Sequence, residues 1–309
     1  MIQYLPMKIS EIKQNIPNGN QWVTITKITK GWSHDHKFKV TNELSQNFLL
    51  RISDISNLEH MQIEFNILST LNLLNISTPI EIGISFDSVF VYTLYNWVEG
   101  NDTIDCIRAY SKINQYKLGI ECGERLKSIH SIQIEQPDVS WADKFTKKIN
   151  KKIEQLNNCT LKLDNADIYL ECIEKTIHLL KNRTYTFQHG DFHIGNTLIQ
   201  TDGKLCLIDF NRHDIGDPWE EFNRIPFSIE LSPEFATGCI NGYFDKLIPD
   251  DFFPLLALYT SVNQIASLPW ALAYGEKEIS TMRRLSKQTL DWYDNFSTFI
   301  PKWYCTNVE

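Results

Sequence analysis

The chain of 309 residues is 42% hydrophobic and 22% charged, with a formal net charge of −8. That length suffices for two domains with separate cores, and the sign of the charge excludes a typical nucleic-acid-binding surface. Seven cysteines without a C-x-x-C pair, no stretch with the apolar length to span a bilayer and no signal-peptide core at the start give a cytoplasmic protein with no membrane partner as the expectation, monomeric or weakly dimeric.

In chain order, residues 9–16 read as a short helical start. Alternation over 22–28 and 37–40 predicts two strands, joined by the turn Lys30-Gly-Trp-Ser-His-Asp-His36. His34 and His36 form an H-x-H pair, but without a third ligand they read as an exposed turn. Asn47-Phe-Leu-Leu-Arg-Ile52 is a third strand. Glu59, Ile63, Glu64, Ile67, Leu68 and Leu71 then follow at helical spacing. Two more strands, 80–86 and 89–95, run into Asn96-Trp-Val-Glu-Gly100. Beyond Gly100 the pattern changes to long helices at 110–132, 141–156 and 165–181, and the lysine run from Lys144 to Lys152 reads as a solvated face.

The densest chemical signal lies in HGDFHIGNTLI, from His189 to Ile199, and LIDFNRHDIGDPWEEF, from Leu207 to Phe222. The turn Thr201-Asp-Gly203 between two apolar runs reads as a β-hairpin whose ends would bring Asn196 and Asp209 side by side. Taken singly, Asp191, Asn196 and Asp209 are ordinary turn and cap formers. Together they match what phosphoryl transfer demands: a carboxylate to orient the acceptor hydroxyl, and oxygen ligands for a divalent cation, with the first Asp and the Asn five residues apart. A binuclear metallophosphoesterase would also use a G-D-x-H string such as Gly190-Asp-Phe-His193, but no G-N-H follows here.

His189-Gly-Asp191 with Asn196, Ile208-Asp-Phe210 and Gly216-Asp-Pro-Trp-Glu-Glu-Phe222 resemble the aminoglycoside phosphotransferase family, also called antibiotic kinase-like or choline kinase-like. Gly119, Leu126 and His130 resemble the family's L-G-x-x-L-x-x-x-H helix, and Glu221 stands where the family has Asp. The resemblance implies an α+β, bilobal, eukaryotic-protein-kinase-like fold. Its small β-rich N-lobe would take residues 1–97, with a hinge at about 95–100, and a larger, mostly helical C-lobe residues 98–309. It implies ATP or GTP as donor, magnesium as cofactor and a small hydroxylated acceptor such as an aminoglycoside; the acidic chain suits a cationic one.

The same resemblance makes Asp191 the catalytic residue and Asn196 and Asp209 the metal ligands. Ser33 and loop amides would meet the phosphates, although this loop has one glycine, Gly31, and Arg51 replaces the family's phosphate-binding lysine, held by Glu64. Backbone groups from Asn96 to Val98 would read the purine edge. Asp217 is expected to tie the catalytic loop through its backbone or His189. Glu220, Glu230, Glu234, Asp245, Trp270, Tyr274, Trp292 and Trp303 are candidates for an acceptor pocket. Arg51 and the glycine-poor loop also leave open a degraded kinase that only binds nucleotide.

Overall fold

The alternating segments are strands. The computed structural model describes residues 13–16, 19–29 and 35–305; Ser33, Gly31, His34 and residues 9–12 lie outside them. The chain divides into two units, Met1–Asn101 with Leu198–Asn211, and Asp102–Thr197 with Arg212–Glu309.

The first unit is built on a five-stranded antiparallel sheet in the order β1-β2-β3-β5-β4. These strands are β1 (Trp22–Ile28), β2 (His36–Asn42), β3 (Asn47–Asp54), β4 (Glu81–Phe86) and β5 (Phe90–Asn96). Asn42 shapes the β2–β3 turn by accepting from the amides of Leu44 and Gln46 at 3.0 and 2.9 Å. Strand side chains alternate between faces, so Leu50 and Ile52 of β3 enter a core with Trp22, Val40, Tyr92 and Leu94. Arg51 takes the opposite face. It lies directly across from Lys37 on β2 and Thr93 on β5. Helix α1 (Leu58–Leu73) buries Met61, Glu64, Leu68 and Leu71, and Ser53 of the same face as Arg51 donates to the Met61 sulfur at 3.7 Å.

The expected hairpin forms from β8 (Thr197–Gln200) and β9 (Leu205–Leu207), beside β6 (Gly100–Asp102). Gly203 supplies the positive φ, 84°, that its turn requires. The Leu207 amide donates to the Ser77 carbonyl at 3.0 Å and the Ser77 hydroxyl to Gln200 at 2.7 Å, which fixes the hairpin within the first unit. Asp209 follows in a left-handed backbone conformation, φ 67°. That region is sparsely populated for a residue other than glycine.

The second unit is mainly helical: α2 (Thr103–Cys106), α3 (Lys112–His130), α4 (Trp141–Asn157), α5 (Ala166–Thr176), α6 (Ile225–Ile229), α7 (Pro233–Tyr243), α8 (Phe252–Ala271) and α9 (Glu276–Trp292), with the short pair β7 (Thr186–Gln188) and β10 (Asp214–Gly216). Ser111, Ser140 and Ser232 cap α3, α4 and α7 by accepting from backbone amides, which satisfies donors a helix start leaves orphaned. The apolar α8 runs through the core, where Leu258, Tyr259 and Val262 meet Trp141, Phe145 and Ile149 of α4. α3 and α7 cross in backbone contact. A Cβ on Gly119 would lie 2.2 Å from the Phe235 carbonyl oxygen, and one on Gly242 2.1 Å from that of Ile120. The crossing sets His130 at the end of α3 against Tyr243, Nδ1 to hydroxyl 2.8 Å. Among the described residues no helix is long and apolar enough to cross a membrane, and all seven cysteines are free thiols.

Candidate active site

The loop after β7 is held by one carboxylate. Glu221 accepts from the His189 amide at 2.5 Å and the Gly190 amide at 2.9 Å, and its Oε2 lies 3.7 Å from His130 Nε2. Gly190 is required: φ is 81° and a Cβ would sit 1.7 Å from the Arg212 carbonyl oxygen. Asp217, expected to hold this loop, does not do so with its carboxylate. It is fully buried and engaged by Arg183, whose Nη2 donates at 3.1 Å, and by the Trp219 amide at 2.7 Å. The Arg183 guanidinium in turn stacks 3.7 Å over the Trp219 ring. The longer Glu reaches the two amides because Asp217 is already committed to building the turn beneath it.

Asp191 sits among cations. Its Oδ1 is 2.9 Å from Arg224 Nε, 3.8 Å from Arg212 Nη1 and 3.9 Å from His193 Nε2. Burial opposes its ionisation, but Arg224, His193, Arg212 and His189 outweigh that and hold its carboxyl below the ordinary range. Burial also pushes His193 down to about 4, helped by Arg224; the ring is therefore neutral near pH 7, and its Nδ1 accepts from the Gly195 amide at 3.0 Å. Asn196 closes the five-residue step by donating Nδ2 to the Asp191 carbonyl at 2.8 Å. Its amide oxygen is the kind of ligand a hard cation takes.

In the first unit Arg51 is 6% exposed and doubly paired, Nε to Asp35 at 2.5 Å and Nη1 to both Glu64 oxygens at 3.1 and 3.0 Å. Burial disfavours its charge, yet Glu64 and Asp35 more than compensate and raise its pKa. The Lys37 ammonium, on the same sheet face, lies 3.4 Å from Asp209 Oδ2. Sequence reasoning missed Lys37; the signal that finds it is the cross-strand register opposite Arg51. Near the end of β5, Asn96 is bonded twice to Ile80: its Oδ1 accepts at 2.5 Å and its amide donates at 2.8 Å. The Trp97 amide donates to Asn47 at 3.1 Å, whereas no hydrogen bond from a described residue engages the Val98 amide.

The second unit contains a cavity of about 340 Å³ whose wall includes Gly190, Arg212 and Arg224, the neighbours of Asp191. Glu220 and Trp270 line it. Glu230, Glu234 and Asp245 pair instead with Arg284, Lys112 and Lys127, and Trp303 is buried. The lysine run is only partly solvated. Lys148 and Lys152, one turn apart on α4, face the cavity, and Lys144 donates to the Ile215 carbonyl at 2.7 Å. Lys147, Lys148 and Lys151 are nonetheless exposed, and Lys144 and Lys152 half-buried. The four-residue spacing, rather than the charge of the run, carried this information.

The family model described as "Phosphotransferase enzyme family" matches residues 24–253. No curated protein matches the sequence. Among solved structures, aminoglycoside phosphotransferase APH(2'')-Ib bound to ADP aligns with TM-score 0.63 and 18% identity over 92% of this chain and 99% of that one. Aminoglycoside phosphotransferase APH(4)-Ia aligns with TM-score 0.65 and 13% identity, covering 88% and 94%. The amicoumacin kinase hAmiN, in complex with AMP-PNP, Ca2+ and Ami, aligns with TM-score 0.63 and 14% identity, covering 90% of each chain. The fold is thus the kinase-like fold of these enzymes.

Proposed function

From the premise that the chain belongs to the phosphotransferase enzyme family, acting on an alcohol group, we propose that it is a small-molecule kinase using ATP or GTP. Asp191 orients the acceptor hydroxyl and takes its proton as the oxygen–phosphorus bond forms. The bond from the γ-phosphorus to the β–γ bridging oxygen breaks, and the nucleoside diphosphate leaves with its electron pair. The observation that carries this reading is the setting of Asp191: a carboxylate kept ionised by Arg224 and Arg212, on a loop fixed by Glu221.

The donor set fits a hard divalent cation, an amide oxygen at Asn196 and a carboxylate at Asp209, and we assign magnesium to them. Held there, magnesium would supply positive charge against the phosphates of the nucleotide. Arg51 has two nitrogens committed to Asp35 and Glu64, so it braces this region while Lys37 supplies the more mobile ammonium for the phosphates. The Val98 amide and its neighbours from Asn96 read the purine edge, and Ser33 belongs to the phosphate loop. We assign nucleotide binding to residues 1–97, with which the segment Leu198–Asn211 groups in the first unit, and catalysis and acceptor binding to the remainder of 98–309. The acceptor is a small hydroxylated molecule, of which aminoglycosides and other antibiotics are one class; the enzyme would then confer resistance. A cytoplasmic location is part of this reading, and the free cysteines support it.

Purified protein with magnesium and either ATP or GTP, assayed for nucleotide consumption against aminoglycosides, macrolides, choline and sugars, tests the reading. Acceptor-dependent diphosphate release supports it; tight nucleotide binding with no turnover on any acceptor favours the degraded kinase.

A further inference from the structure

The cavity beside Asp191 has two unlike walls. Its charged residues all come from α4 and from the segments at 212–214 and 220–224, which carry Arg212 and Arg224, the neighbours of Asp191. α8 and α9 contribute none. The whole of α8 is uncharged, and the polar atoms it brings to this wall are engaged within the protein. Asn263 donates to the Asn223 carbonyl at 3.1 Å, and the Ser267 hydroxyl to the Gln264 carbonyl at 2.6 Å. The first of these bonds ties the uncharged wall to the residue before Arg224, so the two walls are continuous. From Leu255 to its end, α8 is buried except at Asn263, Ala266, Pro269 and Trp270. Asn263, Ala266 and Trp270 stand three and four residues apart, on one face of the helix, and all three line the cavity. Ala266 leaves that face low in the middle. Trp270 closes it, about 10 Å beyond Asn263 at the rise of an α-helix, with its ring against Tyr274 at 4.5 Å between centroids. Met282 and Leu285 of α9 add apolar surface to the same wall.

Resting on the kinase reading above, we propose that the acceptor is a two-ended molecule: a hydroxyl-bearing polar end held at Asp191, and an uncharged apolar ring that lies over Ala266 against Trp270. Trp270 is then the residue that selects the acceptor. A ring that leaves about 60 Å² of apolar surface against this wall gains about tenfold in affinity over a molecule without it. A polyamine extended along the same wall would give up hydration of its ammonium groups and find no carboxylate on α8 or α9 in return.

The test is calorimetric titration of the full chain, saturated with magnesium and AMP-PNP so that the nucleotide site is filled. The probes share one hydroxylated body and differ in what it carries: methyl, phenyl and 3-phenylpropyl glucoside, with glucosamine as the cationic arm. The better of the two aryl probes binds at least about tenfold tighter than methyl glucoside, and glucosamine binds weakest. Trp270→Ala brings the aryl probes to within about twofold of methyl glucoside. Ala266→Leu, which adds bulk to the same face and keeps the tryptophan, also lowers the ratio, so the result does not hang on one variant's folding. Phe86→Ala removes an aromatic ring that is 59% exposed on β4 and keeps the preference, which separates the cavity from general adsorption. Glucosamine binding tightest, no discrimination, no binding by any probe, or a preference that survives either cavity variant each overturns the proposal. The kinase reading is scored separately by nucleotide consumption and its loss in Asp191→Ala, so either can fail alone.

Discussion

Arg51 and Asp191 occupy buried clusters of opposite balance. In the first unit one guanidinium faces two carboxylates, Asp35 and Glu64, and a neighbouring ammonium, Lys37, already leans on a third, Asp209. In the second unit one carboxylate faces two guanidinium groups. The first arrangement suits a site that must receive a cation together with phosphates. The second suits a base that must stay ionised. Buried charge of either sign is costly unless compensated.

The largest expected effect breaks the first cluster. Arg51→Met leaves Glu64 buried without its partner and destabilises the protein by about 3–5 kcal/mol in denaturant unfolding, while Arg51→Met combined with Glu64→Met recovers most of it. A single variant as stable as the parent would mean the pair is not structural. Next, Glu221→Ala orphans the buried amides of His189 and Gly190 and costs about 1–3 kcal/mol for each group left unpaired; turnover falls with it, because the loop carrying Asp191 is no longer held. Lys37→Met sharpens the assignment of cations in the first unit. It lowers turnover about tenfold, the worth of one charge-assisted contact, with little change in thermal stability, since Lys37 reaches only Asp209 at 3.4 Å. A fall in stability matching that of Arg51→Met would make Lys37 a structural residue instead. The smallest effect is the control. Lys204→Ala removes an exposed pair with Asp202 and changes stability by less than about 1 kcal/mol.

The strands of the first unit were readable from alternation, and the hairpin from Thr201-Asp-Gly203, because both signals are local. The candidate loop from His189 to Asn196 stands out in the sequence because its residues are adjacent in the chain. Lys37 was not, since its place depends on which β2 residue pairs with Arg51, a matter of register. Nor was the division of labour between Asp217 and Glu221: both are acidic and four residues apart, and Arg183, distant in sequence, decides which one remains for the loop. Of the α4 lysines, Lys147, Lys148 and Lys151 are exposed, as the charge run suggests, and Lys144 and Lys152 are half-buried, because burial follows the helical face.

The most direct test of the central claim measures two quantities on Asp191→Asn beside the parent protein: magnesium-dependent nucleotide affinity, and acceptor-dependent nucleotide consumption on whichever acceptor the parent uses. The account predicts affinity within about threefold and turnover reduced by about 10²–10⁴-fold, the range for loss of a positioned general base. Turnover within tenfold of the parent would contradict it.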